Sequence, residues 1–169
     1  KPTHNPHGGY IHVTSSKGQG ACFSIYLPAS ENTILASAML ADRFVAGSET
    51  VLLVDDEEAI REVGQELLEA LGYRVLLSGD GKEALDVYKK NRDRIDIVLL
   101  DIVMPQMGGG EVYEKIKGIN PDVKVLLLSG YSIDGEAADI MKRGCNGFIQ
   151  KPFTMKELSA RIRQILEQA

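Results

Sequence analysis

Val51-Leu52-Leu53-Val54-Asp55-Asp56-Glu57 is an unbroken apolar run that ends in consecutive acids. Four apolar residues with no polar alternation argue a strand buried on both faces. The stretch that follows, Glu58–Leu71, sets Ile60, Val63, Leu67, Leu68 and Leu71 three and four apart, which is one face of a helix. The same alternation repeats along the chain. It predicts strands over Val51–Val54, Arg74–Leu77, Ile95–Leu100, Val123–Leu128 and Gly147–Ile149. Between and after them it predicts helices over Glu58–Leu71, Gly81–Lys89, Gly109–Lys117, Asp134–Lys142 and Met155–Glu167. Strands alternating with helices in this way read as an α/β fold with a doubly wound parallel sheet. Gly72, Gly118 and Gly144 fall where three of the helices should stop, and Pro121 follows the second of them.

The first 48 residues are a different object. They carry three bases (Lys1, Lys17, Arg43) against two acids (Glu31, Asp42), a net +1, so the rest of a chain whose total is −5 carries −6. Tyr10–Thr14 and Ala21–Leu27 read as two strands, with Ser15–Gly20 as the turn between them. A two-stranded hairpin is marginal alone, so it must pack on something. Residues 29–48 read as a linker, with Ile34–Val45 a weak amphipathic helix at most. The division is therefore 1–28, a linker over 29–48, and an α/β domain over 49–169.

Composition narrows the function. A chain of 169 residues with 44% apolar content can bury a core. Its apolar runs, such as Ile97–Leu100 and Val125–Leu128, are far short of the roughly 20 residues a membrane span needs. No membrane contact is expected from this chain, and no signal-peptide core is present at its start. A net charge of −5 argues against a nucleic-acid binder. Two cysteines, Cys22 and Cys145, make no disulfide framework and fit a reducing, cytoplasmic setting, with a membrane anchor elsewhere in a parent protein left open.

The chemistry lies after the strands, because ligands of open parallel sheets bind off their carboxyl ends. Asp55-Asp56, Asp101, Ser129 and Lys151-Pro152 all fall there. Three clustered carboxylates repel one another, and a hard divalent cation with oxygen ligands relieves this; Mg²⁺ suits such a site because it keeps several waters. Asp101 would then be a nucleophile toward phosphorus, with Lys151 and the metal neutralising phosphoryl oxygens and the Ser129 hydroxyl bonding another. Each piece also has a plainer reading. Asp55-Asp56 ahead of Glu57-Glu58 can be a helix N-cap, Ser129-Gly130 a turn, and Lys151 a solvated lysine. Asp101 resists this, since a carboxylate closing an apolar run is costly without a partner.

With Asp101-Ile102-Val103-Met104-Pro105-Gln106-Met107-Gly108-Gly109, Leu128-Ser129-Gly130 and Phe148-Ile149-Gln150-Lys151-Pro152-Phe153 added to the opening run, residues 49–169 strongly resemble response-regulator receiver domains. The resemblance implies a flavodoxin-like five-stranded sheet in the order 2-1-3-4-5. It implies that Asp101 takes phosphate from a phosphohistidine, and that Asp56, Asp101 and the Val103 carbonyl bind Mg²⁺ with Asp55 helping through a coordinated water. Ser129 and Phe148 resemble the switch pair, Lys151 contacts the phosphate, and the bond before Pro152 is often cis. Gly108 stands where the family usually has Asp or Asn, and three consecutive glycines predict a loop that is costly to order and hence mobile.

Asn5–Val13 and Lys17–Pro28 are similar to the last two strands of a histidine-kinase ATP-binding domain, with Gly18 and Gly20 in its second glycine box and Ala21 in place of a common threonine. That domain followed by a receiver is the order of hybrid sensor kinases. The ATP-binding asparagine, the Asp-x-Gly-x-Gly box and the phosphoacceptor histidine segment have no counterpart. The chain therefore reads as a fragment cut inside a kinase domain, with self-phosphorylation and dephosphorylation as its only expected activities. The expected partners are a histidine kinase phosphodonor domain or a histidine phosphotransfer protein, and a homodimer through the hairpin or the last helical layer, from about Ser132 onward. Tyr131 and Val103 flank the site and would tune hydrolysis. The alternatives are a Mg²⁺-dependent aspartyl-phosphate phosphatase, disfavoured because Asp55-Asp56 is adjacent rather than spaced, and a degenerate receiver that only docks. A metal site from His4, His7 and His12 is a weaker option.

Overall fold

A computed structural model describes residues 3–4, 9–28, 46–130 and 135–167. The chain divides into two compact units, residues 1–39 and 40–169.

The first unit is an antiparallel sheet in the order β1-β2-β3, formed by β1 (Thr3–His4), β2 (Tyr10–Ser16) and β3 (Gly20–Tyr26). The expected hairpin is present, extended by the short β1 along β2. Its turn closes with the Gln19 N–H donating to the Ser16 carbonyl at 3.0 Å, between strands registered from Tyr10↔Tyr26 to Ser16↔Gly20. Tyr10 and Tyr26 stack with ring centroids 4.4 Å apart. Directly opposed residues share a face, so Ile11, Val13, Phe23 and Ile25 line one side of the β2–β3 pair. Phe23 is 67% exposed. The reading of Ile34–Val45 falls outside the described residues, as does that of His7.

The second unit contains β4 (Thr50–Val54), α1 (Glu58–Ala70), β5 (Arg74–Ser78), α2 (Gly81–Asn91) and β6 (Ile97–Asp101). It continues with α3 (Gly109–Ile119), β7 (Lys124–Ser129), α4 (Glu136–Lys142), β8 (Gly147–Gln150) and α5 (Met155–Leu166). All its strand pairs are parallel, in the order β5-β4-β6-β7-β8, which is 2-1-3-4-5 within the unit. The unbroken apolar runs are explained by two separate cores. Leu52, Val54, Val98, Leu100, Val125 and Leu127 face one core, filled by Tyr88, Val112, Ile116 and Ile140 from α2, α3 and α4. Val51, Leu53, Ile97, Leu99, Leu126 and Leu128 face the other, filled by Leu68 from α1 and by Leu158, Ile162 and Ile165 from α5. Every residue of β4 and β6 is buried because both faces are covered. Among the described residues, no helix is long and apolar enough to cross a membrane.

Helix ends follow local chemistry. Gly72 (φ +94°) and Gly144 (φ +92°) take the left-handed conformation just past α1 and α4. Gly118 does not stop its helix. It stays inside α3, which runs on to Ile119, and the stop is set by Asn120, extended at φ −143° and ψ 103° ahead of Pro121. A residue before proline is disfavoured in the helical region, so the proline rather than the glycine ends this helix. Thr154 opens α5 with a reciprocal capping box to Glu157. At the amino ends of the strands, Gly47 N–H donates to the Leu71 carbonyl at 2.9 Å, and Glu49 pairs with Arg163 at 2.5 Å.

Candidate functional site

The carboxyl ends of β4, β6, β7 and β8 bring the sequence-selected residues to one rim. Asp55 follows β4 and is fully buried; Asp56, next to it, is exposed. Asp101 is the last residue of β6 and is 6% exposed. Carboxylate oxygens of these three lie within 4.8 Å of one another, the one gathering of three or more metal-ligating side chains among the described residues. Lys151 follows β8, and its Nζ donates to Asp55 Oδ2 at 2.5 Å and to Asp101 Oδ1 at 3.0 Å. Its backbone N–H donates to the Ser129 carbonyl at 2.6 Å, which fixes the lysine against the end of β7. The Lys151–Pro152 bond is cis.

Electrostatics follow from this crowding. Burial is the largest influence on Asp101 and raises its pKa; Lys151 opposes that, and the charges of Asp55 and Asp56 add to it, so the carboxyl sits above its ordinary range. Burial alone would lower Lys151, but its hydrogen bonds to Asp55 and Asp101 outweigh this and raise it. The donor set is all oxygen, carries three formal negative charges against one ammonium, and is open at Asp56. It fits a hard cation such as Mg²⁺.

The remaining candidates surround this pocket. Ser129 is the last residue of β7 and 3% exposed. Phe148, in β8, is half-buried against the core beneath α4. Val103, two residues after Asp101, is 59% exposed. Tyr131 and Ser132 lie outside the described residues. In the glycine run, a Cβ on Gly109 would stand 2.3 Å from the Asp101 carbonyl oxygen, so the chain there needs a residue without one. At Gly110 the space is taken by the Glu136 carboxylate of α4, and Gly108 opens α3 without a side-chain cap.

The family model for the response regulator receiver domain matches residues 51–163. The chain belongs to the response-regulator receiver family. This chain is 34% identical to the sensor kinase CckA of Brucella abortus (strain 2308) over 95% of its length, and spans 18% of that protein's length. It resembles the crystal structure of the receiver domain from hybrid histidine kinase CckA, at 34% identity and TM-score 0.59, over 70% of this chain and 99% of that one. It also resembles Thermotoga maritima response regulator TrrA, solved in complex with Mg²⁺-BeF, at 32% identity and TM-score 0.63, over 69% of this chain and 98% of that one. The receiver thus has the CheY-like flavodoxin fold, and its three acids form a pocket that could hold a metal ion.

One contact at this rim escaped the sequence reading. Arg61, on α1, donates from Nη1 to the backbone carbonyl of Asp55 at 2.7 Å. Its only sequence signal is position, one turn into the helix that starts after the acidic pair.

Proposed function

We propose that the receiver accepts a phosphoryl group on Asp101 from a phosphohistidine. Asp56, Asp101 and the Val103 carbonyl would hold Mg²⁺, with Asp55 assisting through a coordinated water. The ion supplies positive charge to the phosphoryl oxygens and to the crowded acids. An Asp101 carboxylate oxygen attacks phosphorus, a new P–O bond forms, and the P–N bond to the donor imidazole breaks. Lys151 is already held between Asp55 and Asp101, so its ammonium can turn to a phosphoryl oxygen without leaving the rim. The Ser129 hydroxyl donates to another oxygen, and the Phe148 ring follows it inward as the switch. The observation that carries the reading is the Asp101 carboxylate, set within 4.8 Å of two further acids and bonded to a lysine.

The phosphate would pass to or from a kinase core or a histidine phosphotransfer protein in the cytoplasm. Residues 1–28 are read as the end of a kinase ATP-binding domain and 29–48 as its tether to the receiver. Support comes from the alignment with the Brucella sensor kinase, which at 95% of the chain runs into the first 28 residues.

Incubation with a small-molecule phosphodonor and Mg²⁺ tests the mechanism by intact mass. The expected result is one phosphate adduct that is lost in Asp101→Asn and in chelator. An adduct that survives Asp101→Asn overturns the assignment.

A further inference from the structure

Asp55 is held at every polar atom. Its N–H donates to the Ser78 carbonyl at 3.2 Å, Oδ1 accepts from the Glu57 N–H at 3.0 Å, and Oδ2 accepts from Lys151. Its carbonyl accepts from Arg61 Nη1 at 2.7 Å. The Arg61 guanidinium lies over the backbone of the β5–α2 loop. A Cβ on Gly79 would be 3.3 Å from Cζ and Nη1 and 3.4 Å from Nη2, so the absence of a side chain there makes the seat. The helix does not need this contact, since its first turn closes through the Ile60 and Arg61 N–H groups on the Glu57 carbonyl, each at 3.1 Å.

The carbonyl that Arg61 grips is one end of the planar peptide unit joining Asp55 to Asp56. Fixing that plane fixes the direction in which Asp56 leaves the strand. Asp56 is exposed, and among the described residues no hydrogen bond or ion pair holds its carboxylate. Its aim toward Asp101 is therefore set by its backbone.

We propose that Arg61 is a positioning residue for the cation site: it clamps the Asp55–Asp56 peptide against the Gly79 backbone and thereby aims the Asp56 carboxylate at the cation. This rests on the reading of the acidic pocket as a Mg²⁺ site. The proposal has a distinctive sign. As a bare charge, an arginine beside three acids competes with a cation, and removing it would tighten binding. As a clamp, its removal weakens binding.

The experiment is calorimetric titration of the full chain with MgCl₂ at fixed ionic strength, with thermal unfolding of each variant followed in chelator. Arg61→Met keeps the aliphatic stem and removes the donor. It is expected to bind Mg²⁺ about tenfold more weakly, the scale seen when a supporting hydrogen bond to a metal ligand is lost. The Mg²⁺ concentration for half-maximal phosphorylation by a small donor is expected to rise by the same factor. Arg61→Lys, which keeps a donor, recovers part of the loss. Equal or tighter Mg²⁺ binding by a folded Arg61→Met chain overturns the proposal and leaves the cation site standing. If Arg61→Met does not fold, Gly79→Val asks the same question with the arginine retained, since a branched side chain built on a Cβ already 3.3 Å from the guanidinium occupies its seat. Weaker Mg²⁺ binding then supports the clamp, and unchanged binding overturns it. A parent chain that binds no Mg²⁺ overturns the cation reading and this one with it.

Discussion

At the carboxyl ends of its strands the receiver gathers Asp55, Asp56 and Asp101 around a single ammonium, Lys151. At the amino ends of the same sheet Glu49 and Asp96 each have a partner. Glu49 pairs with Arg163, whose Nε also donates to the Tyr73 hydroxyl at 3.0 Å, and Asp96 Oδ2 accepts from the Thr50 N–H at 2.7 Å. The two ends share strands, cores and twist, and differ in charge balance. One end sets three acids against Lys151 and the neighbouring Arg61 guanidinium, an excess of negative charge that costs stability. The other pairs Glu49 with Arg163 and Asp96 with a backbone N–H, and contributes stability. An excess of acids and a set of paired polar groups are thus divided along the strand axis.

Removing Lys151 should break the asymmetry most. Lys151→Met leaves the fully buried Asp55 and the nearly buried Asp101 facing each other with no ammonium between them. In chelator, urea unfolding is expected to show a loss of about 3 kcal/mol, the scale for stranding a buried charge. A loss no larger than that of an exposed-lysine control would mean the rim is better solvated than its burial implies.

Asp101→Asn should act in the opposite direction. The Asp101 carboxyl is raised by burial and by its acidic neighbours, so its ionised form opposes folding at neutral pH. The isosteric amide is expected to stabilise the chelated protein at pH 7, read as a higher urea midpoint than the parent's. The gain should shrink as pH falls through the raised pKa, where the parent's carboxyl becomes neutral. A destabilised Asp101→Asn would place the balance of the rim with the Lys151 attraction instead.

Glu49→Gln probes the matched end and should be the smallest effect. Burial alone would raise Glu49, but the Arg163 guanidinium and local backbone N–H groups hold it below its ordinary range. A lowered carboxyl contributes stability above its unfolded pKa and loses it as pH falls through the folded one. The variant is expected to lose about 0.5 kcal/mol at pH 7, and the difference from the parent should close in acid. Acid would therefore relieve the carboxyl-end rim and loosen the amino-end pair, which parallel unfolding curves across pH would resolve.

The doubly wound architecture was legible because two covered faces demand unbroken apolar runs, and β4, β6 and β7 have them. Asp55 and Asp101 were legible because each directly follows such a run, and Asp56 because it stands next to Asp55. Gly118 misled, since a glycine is only a permissive stop, while Asn120-Pro121 is an enforced one. Arg61, Gly79 and Glu136 were not legible. A carbonyl has no residue type, and a gap without a Cβ shows only when its neighbours are in place. The pairing of Lys151 with Asp55, 96 positions away, was equally hidden.

The amino-acid sequence by itself determined the alternation of elements, the strands' burial and the placing of acids, serine and lysine just after the strands, because these depend on side-chain type and short-range period. Only the tertiary structure decided which charges share Lys151, which backbone carbonyl Arg61 grips, and how the two ends of the sheet differ. Those are distances between residues remote in the chain, and they exist only once the strands are packed side by side.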